Sequence, residues 1–178
     1  MIKVSNNIDL KPVLSSDATL LFSLMEEVYA SAYSHFWTDK GAWFVNSQYS
    51  KNTLIKELSE ENAAYYFIVV DKEIVGTFRF VWNEKLKGFV EEKQVKLHRI
   101  YLHPKTQGKG IGKKLLFWLE EKAIKKGYKM IWLDAMDKQI AAFEFYKKMG
   151  YRYHTHLFLP FDLMHKEVRK MSQIYKKI

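Results

Sequence analysis

Gln107-Gly108-Lys109-Gly110-Ile111-Gly112-Lys113 lies between a run that reads as a strand, residues 95–102, and one that reads as a helix, residues 113–126, with Pro104 in the connection. A glycine loop that ends a strand and opens a helix is suited to holding phosphate. The glycines at alternate positions remove side chains so that backbone can approach an anion. The helix that begins there offers unpaired N–H groups at the positive end of its dipole.

Spacing excludes two better-known phosphate loops. A P-loop requires G-x-x-x-x-G-K-[ST], but Gly108 and Gly112 are separated by three residues and Lys113 is followed by Lys114. The dinucleotide fingerprint G-x-G-x-x-G fails because the third glycine comes one residue early. Neither a nucleotide triphosphatase nor a Rossmann dehydrogenase fits.

Outward from the loop, Leu115, Leu116, Leu119 and Ala123 form the buried stripe of the following helix, which Gly127 ends. Residues 130–134 read as a strand and 139–149 as a helix ending at Gly150. Residues 151–159 and 162–168 read as a last antiparallel pair around Pro160. Upstream, 95–102 alternates as a central strand covered on both faces. A charged loop at 83–92 precedes it, and 65–70 and 74–82 form a hairpin. Before these come a short strand at 8–13 and a helix from Ser16-Asp17 to about residue 34, buried through Leu20, Leu21, Leu24, Met25 and Val28. Helical stretches follow at 40–49 and 51–60, the second capped by Ser50. This is a mixed α/β order with strand-helix-strand crossovers in the second half. No repeat or linker divides it, so a single domain over 1–178 is expected.

The 178 residues are 48% hydrophobic and 28% charged, the composition of a globular chain. The longest apolar run, 63–70, is far shorter than a membrane-spanning helix requires. The first residues lack a secretory pattern and there is no cysteine, which excludes disulfides and thiolate metal sites and leads us to expect a cytoplasmic location. His98, His103, His154, His156 and His165 lack a metal-ligand spacing, so no metal is expected. An excess of 29 Lys and Arg over 20 Asp and Glu gives a net charge of +9, which is compatible with an anionic ligand and with lysines spread over a solvated surface.

Gln107-Gly108-Lys109-Gly110-Ile111-Gly112 satisfies Q/R-x-x-G-x-G/A and so resembles the acetyl-CoA loop of the GCN5-related N-acetyltransferase (GNAT) superfamily. Ala142-Phe143-Glu144-Phe145-Tyr146-Lys147-Lys148-Met149-Gly150-Tyr151 is similar to the same family's A-I-x-F-Y-x-K-x-G-F signature. The two motifs stand in the family's order and the well-matched region covers about 97–151. Arg99-Ile100-Tyr101-Leu102 and Trp132-Leu133 also resemble the subgroup that contains the PaiA-type polyamine acetyltransferases.

The resemblance implies a GNAT-like fold: a central mixed, mostly antiparallel sheet of about seven strands flanked by helices on both faces. It implies an N-acetyltransferase that uses acetyl-CoA and passes the acetyl group to a small-molecule primary amine, a polyamine or another amine. The amides of Gly108, Lys109, Gly110, Ile111, Gly112 and Lys113 would hold the pyrophosphate, with Gln107 in the same cofactor-binding set. Backbone at Ile100, Tyr101 and Leu102 would meet the pantetheine arm, and Tyr146 and Lys148 of the second motif join this set. Relatives often carry asparagine where this chain has Gln139, whose longer amide would make that contact differently.

For catalysis, the resemblance assigns Tyr146 as the acid that returns a proton to the departing thiolate. His98 stands where relatives often place a glutamate. It is the candidate base, with a water relay as the other route and a structural histidine as the bland reading. Family architecture places the acceptor beside the first two helices, where Tyr29, Tyr33, His35, Trp37 and Trp43, with Trp82, offer aromatic walls. Glu26, Glu27 and Asp39 offer acidic groups. Glu27, Tyr33, Trp82 and Asp134 are the candidate substrate contacts.

Two other readings stay open at this point: an acyl-CoA sensor of the same fold without turnover, and a nucleic-acid binder using Lys105, Lys109, Lys113, Lys114, Lys125 and Lys126. No RNP, zinc or helix-turn-helix pattern supports the second. The expected partner is a small amine, with no nucleic acid and no membrane. An exposed strand in the C-terminal pair leaves both monomer and homodimer open.

Overall fold

Apolar runs build the first five strands of a sheet in chain order, with three helices inserted between the second and the third, and two strand-helix connections complete it. The computed structural model describes residues 1–90 and 93–178; the expected charged loop at 83–92 includes positions outside these. The strands are β1 (Ile2–Ser5), β2 (Ile8–Pro12), β3 (Ala63–Val70), β4 (Glu73–Trp82), β5 (Gln94–Leu102), β6 (Met130–Met136), β7 (Arg152–Phe158) and β8 (Lys170–Lys177). Among the described residues they form one eight-stranded sheet in the order β1-β2-β3-β4-β5-β6-β8-β7. The expected seven omitted β1. All neighbours run antiparallel except β5 and β6, which are parallel.

Helices cover both faces. On one side α1 (Ala18–Tyr33), α2 (Ala42–Gln48) and α3 (Lys51–Leu58) bury Leu21, Met25, Tyr29, Val45 and Leu54 against Tyr65 and Phe67. On the other, α4 (Ile111–Lys125) and α5 (Ile140–Lys148) pack Leu115, Leu116, Leu119 and Tyr146 against Phe78, Phe80, Val95 and Leu133. Such side chains contribute roughly 1.5–3 kcal/mol each when fully buried. No helix among the described residues is long and apolar enough to cross a membrane.

Several sequence expectations shift locally. Ser50 does cap α3, accepting the Thr53 N–H at 3.2 Å. Ser16-Asp17 do not cap α1. They lie in a 3₁₀ turn, where Asp17 Oδ2 accepts from the Leu14 N–H at 3.0 Å, and Leu20 is exposed. The final strand pair is corrected more substantially. Residues 162–168 are a loop, and β8 begins at Lys170. Met164, which supported the apparent alternation, is instead buried against α1 and α2 and bridges to Trp37. Bonds from Thr38 N to Leu163 O and from His165 N to Phe36 O, both 2.9 Å, tie this loop down.

Candidate active site

The glycine loop is placed as its composition demands. Gly108 and Gly110 adopt left-handed φ values of +75° and +72°, and a Cβ added to either would meet no atom within 4 Å. Backbone is thus bare to approaching ligand at both positions. Gly110 is the N-cap of α4 without a side-chain cap, and the first turn carries no acidic residue. The helix ladder starts with Lys114 N to Gly110 O at 3.1 Å, leaving the N–H groups of Ile111, Gly112 and Lys113 at the orphan positions of the first turn. Lys109, Lys113 and Lys114 are exposed around it. Gly112 serves packing: a Cβ there would lie 3.3 Å from Phe145 Cζ of the second motif. The two motifs therefore touch.

β5 and β6 pair only from Gln94–Leu97 against Met130–Leu133, although β5 runs on to Leu102 and β6 to Met136. Beyond Leu97 and Leu133 the strands part. Each is held by its other neighbour: β5 by β4 through Leu102, and β6 by β8 through Met136. Gly76 makes the first of these possible, since a Cβ there would collide with Tyr101 O at 2.0 Å. The backbone of residues 98–102 on the β6 side is thus not paired to β6. A chain of alternating donors and acceptors fits that gap as a strand would.

A bulge marks the parting. Arg79 pairs with Arg99 and Phe80 with Leu97, so His98 is an extra residue. Simple alternation across 95–102 is therefore overturned at this point. Val95, Leu97, Ile100 and Leu102 share the α4 face, while Arg99 and Tyr101 turn toward α1–α3. Arg99 Nη1 donates to Glu57 Oε2 at 2.6 Å, and Arg79 Nη2 to Glu60 Oε2 at 2.5 Å. Arg79 also donates from Nη1 to His98 Nδ1. An arginine cannot accept, so Nδ1 is the bare nitrogen and Nε2 carries the proton. Burial, reinforced by Arg99, Arg79 and Lys96, lowers the imidazole to about 2. His98 is neutral at physiological pH.

The gap opens into a cavity of about 290 Å³ running toward α1 and α2. One end is lined by His98, Ile100, Asp134, Ala142 and Tyr146, the other by Tyr29, Tyr33, Phe36, Phe44, Tyr101 and Phe161. Tyr29 stacks on Tyr33 with centroids 4.9 Å apart and on Phe44 at 4.5 Å. Its hydroxyl accepts from Trp37 Nε1 at 3.0 Å. Burial, with Tyr101 adding to it, raises the Tyr146 phenol well above its ordinary range, so it stays protonated. Among the described residues no protein group bonds the Tyr146 hydroxyl.

The candidates thus divide. His98, Ile100, Tyr101, Tyr146, Tyr33 and Asp134 meet at the cavity; the residues of the glycine loop stand at the start of α4. Gln139 is turned elsewhere, its amide donating to Ala32 O at the end of α1. Lys148 is exposed in the last turn of α5. Two proposed substrate contacts lie away from the cavity lining. Trp82 packs on Tyr128 at 4.8 Å beneath Lys126, near the end of α4, because it sits opposite Val95 and far down the strand. Glu27 is exposed and accepts from His103 Nε2 at 2.6 Å. Asp39 is spent on the N–H groups of Gly41 and Trp43.

The residues missed in the sequence are those of the 159–169 loop, Leu159, Phe161 and Met164, and the Arg79–Glu57–Arg99 cluster. The second had a signal: an arginine inside the apolar run of β4 is buried only when paired.

The comparisons with known proteins agree with this geometry. The acetyltransferase (GNAT) family model matches residues 22–151. The chain belongs to that family, whose members are acetyltransferases with acetyl-CoA as co-substrate. It is 29% identical over 156 residues to the spermidine N(1)-acetyltransferase of Thermoplasma acidophilum, covering 82% of this chain and 89% of that protein. An uncharacterized N-acetyltransferase from Lactobacillus delbrueckii subsp. lactis is 27% identical over 119 residues, covering 66% of this chain and 69% of the relative. The fold is shared with the PaiA N-acetyltransferase of T. acidophilum, solved in complex with coenzyme A, at a TM-score of 0.72 and 21% identity over 96% of this chain and 99% of that one.

Proposed function

We propose that this protein transfers an acetyl group from acetyl-CoA to the primary amine of a small molecule by direct attack. The single observation that carries this is the parting of β5 from β6 beside the uncapped start of α4. One feature accommodates an extended amide-bearing arm, the other a pyrophosphate, at the two ends of one ligand. When bound, acetyl-CoA supplies the activated thioester carbonyl.

The amides from Gly108 to Lys113 hold the pyrophosphate, and backbone at Ile100 and Leu102 pairs with the pantetheine arm. A backbone N–H freed beyond Leu97 would stabilise negative charge on the carbonyl oxygen. Tyr146 acts on the leaving sulfur. Its phenol, held above the ordinary range, is a weaker acid than a thiol of pKa ~8.5, so it donates a hydrogen bond to the thiolate rather than surrendering its proton outright.

His98 is reassigned from base to positioning residue. Its Nδ1 is occupied by Arg79 and its conjugate acid is suppressed at neutral pH, which leaves little basicity for an ammonium. The amine loses its proton to water before or during attack. We also infer that the chain folds as one domain, because both helical layers share one sheet.

The deciding experiment incubates purified protein with acetyl-CoA and a panel of amines, reading thiol release and product mass together. Release that depends on the amine, with product heavier by one acetyl group, is expected. Tight coenzyme A binding without release for any amine would favour a silent binding protein.

A further inference from the structure

The acceptor end of the cavity is aromatic and carries no uncompensated negative charge. Six rings line it, those of Tyr29, Tyr33, Phe36, Phe44, Tyr101 and Phe161. Among the described residues the lining contains one carboxylate, Asp134, and both its oxygens are engaged. Oδ2 faces Lys96 Nζ at 3.0 Å and Oδ1 accepts from Gln173 Nε2 at 2.9 Å. The remaining charge in the lining, Arg99, is positive and bound to Glu57. Two of the acidic residues named near the acceptor are engaged elsewhere: Glu27 with His103, and Asp39 with the turn that starts α2.

A polyamine must bring one neutral nitrogen to the thioester while its other nitrogens remain ammonium ions. Each of these needs a carboxylate or water, because an unpaired charge in an apolar enclosure is strongly disfavoured. Ring faces can serve a cation, but here they are turned on one another: Tyr29 stacks on Tyr33 and Phe44, and Trp37 on Phe161. The net charge of +9 also repels a polycation at long range.

Resting on the acetyltransferase reading above, we propose that the acceptor is a monoamine borne on an aromatic or bulky apolar body, and that a polyamine is a poor substrate. The body fills the space among Tyr33, Tyr101 and Phe161. The single nitrogen, neutral when it attacks, points toward Tyr146 and the parting of β5 and β6. Its lone pair forms the new C–N bond, the C–S bond breaks, coenzyme A leaves as the thiolate hydrogen-bonded by Tyr146, and the proton the amine loses passes to water, from which the thiolate is later protonated.

The test measures kcat/KM for phenethylamine, tyramine, butylamine and spermidine with acetyl-CoA. The aromatic amines are expected to exceed spermidine by at least about tenfold. Phe161→Ala should raise KM for phenethylamine by a larger factor than KM for butylamine, with coenzyme A affinity read as a control, and Phe161→Leu should restore part of the loss. Thermal melting of each variant shows that it is folded. Spermidine turned over as well as or better than the aromatic amines overturns this proposal alone. Absence of thiol release with every amine overturns the acetyltransferase reading with it.

Discussion

Arg79 donates to His98 Nδ1 and thereby keeps the imidazole in its Nε2–H form at the point where β5 leaves β6. A histidine held this way sits beside the reaction without titrating in its range. We expect His98→Gln to retain turnover within about tenfold, since loss of a true general base costs 10²–10⁴-fold. The profile of kcat/KM against pH should show no inflection near pH ~6.5, the ordinary value for histidine. Such an inflection in the parent, absent in the variant, would restore the base role.

The burial of His98, reinforced by the cations around it, also makes a stability prediction. Folding lowers the His98 value from 6.5 to about 2, so the unfolded chain binds the proton more readily. The stabilisation is fully present above 6.5 and is lost progressively as pH falls from there toward 2. Between pH ~7 and ~5 the parent should lose more melting temperature than His98→Gln, measured by circular dichroism.

Tyr146→Phe would remove the hydrogen bond proposed to meet the departing sulfur and leave the ring in place. With chemistry limiting, kcat should fall by about 10²-fold, while the Kd for coenzyme A, read by calorimetry, stays unchanged. An unchanged kcat removes Tyr146 from the mechanism.

Gly110→Ala tests the loop. The left-handed φ of +72° costs a residue with Cβ about 1–2 kcal/mol, and no steric clash adds to it. Urea denaturation should register that loss. Coenzyme A binding should weaken by about tenfold, since the methyl group would stand where the phosphate is proposed to approach the amides.

Glu57→Gln withdraws the carboxylate facing two buried guanidiniums. Arg99 is 6% exposed and Arg79 2%, and Glu57 Oε2 lies 2.6 Å from one and 3.8 Å from the other. Removing one partner of such a buried cluster costs about 3–5 kcal/mol. The urea midpoint at neutral pH should drop accordingly, in one cooperative transition if the chain is one domain.

The glycine loop and the Phe145-Tyr146 motif were legible because backbone approach to phosphate demands glycines at set spacing, and short-range spacing is what a sequence displays. The acceptor wall was legible only in part. Tyr29 and Tyr33 could be read from α1, but Phe161 and Met164 reach the cavity through a long-range loop whose alternation imitated a strand. The bulge at His98 left no local mark, since it arises from the register of β5 against β4. Trp82 shows the converse: an aromatic residue suggestive by type, carried by strand position to the wrong end of the sheet.

The meeting of β5 and β6 over only the pairs from Gln94–Met130 to Leu97–Leu133 has a consequence for how firmness is distributed in the molecule. The sheet is zipped for half the length of β5 and left unfastened for the rest, so without ligand its middle is less protected than its flanks. Amide hydrogen exchange of residues 98–102 should slow when coenzyme A binds, with β3 and β4 unaffected. On this proposal the cosubstrate is a removable strand, and each catalytic cycle would mend the sheet and open it again.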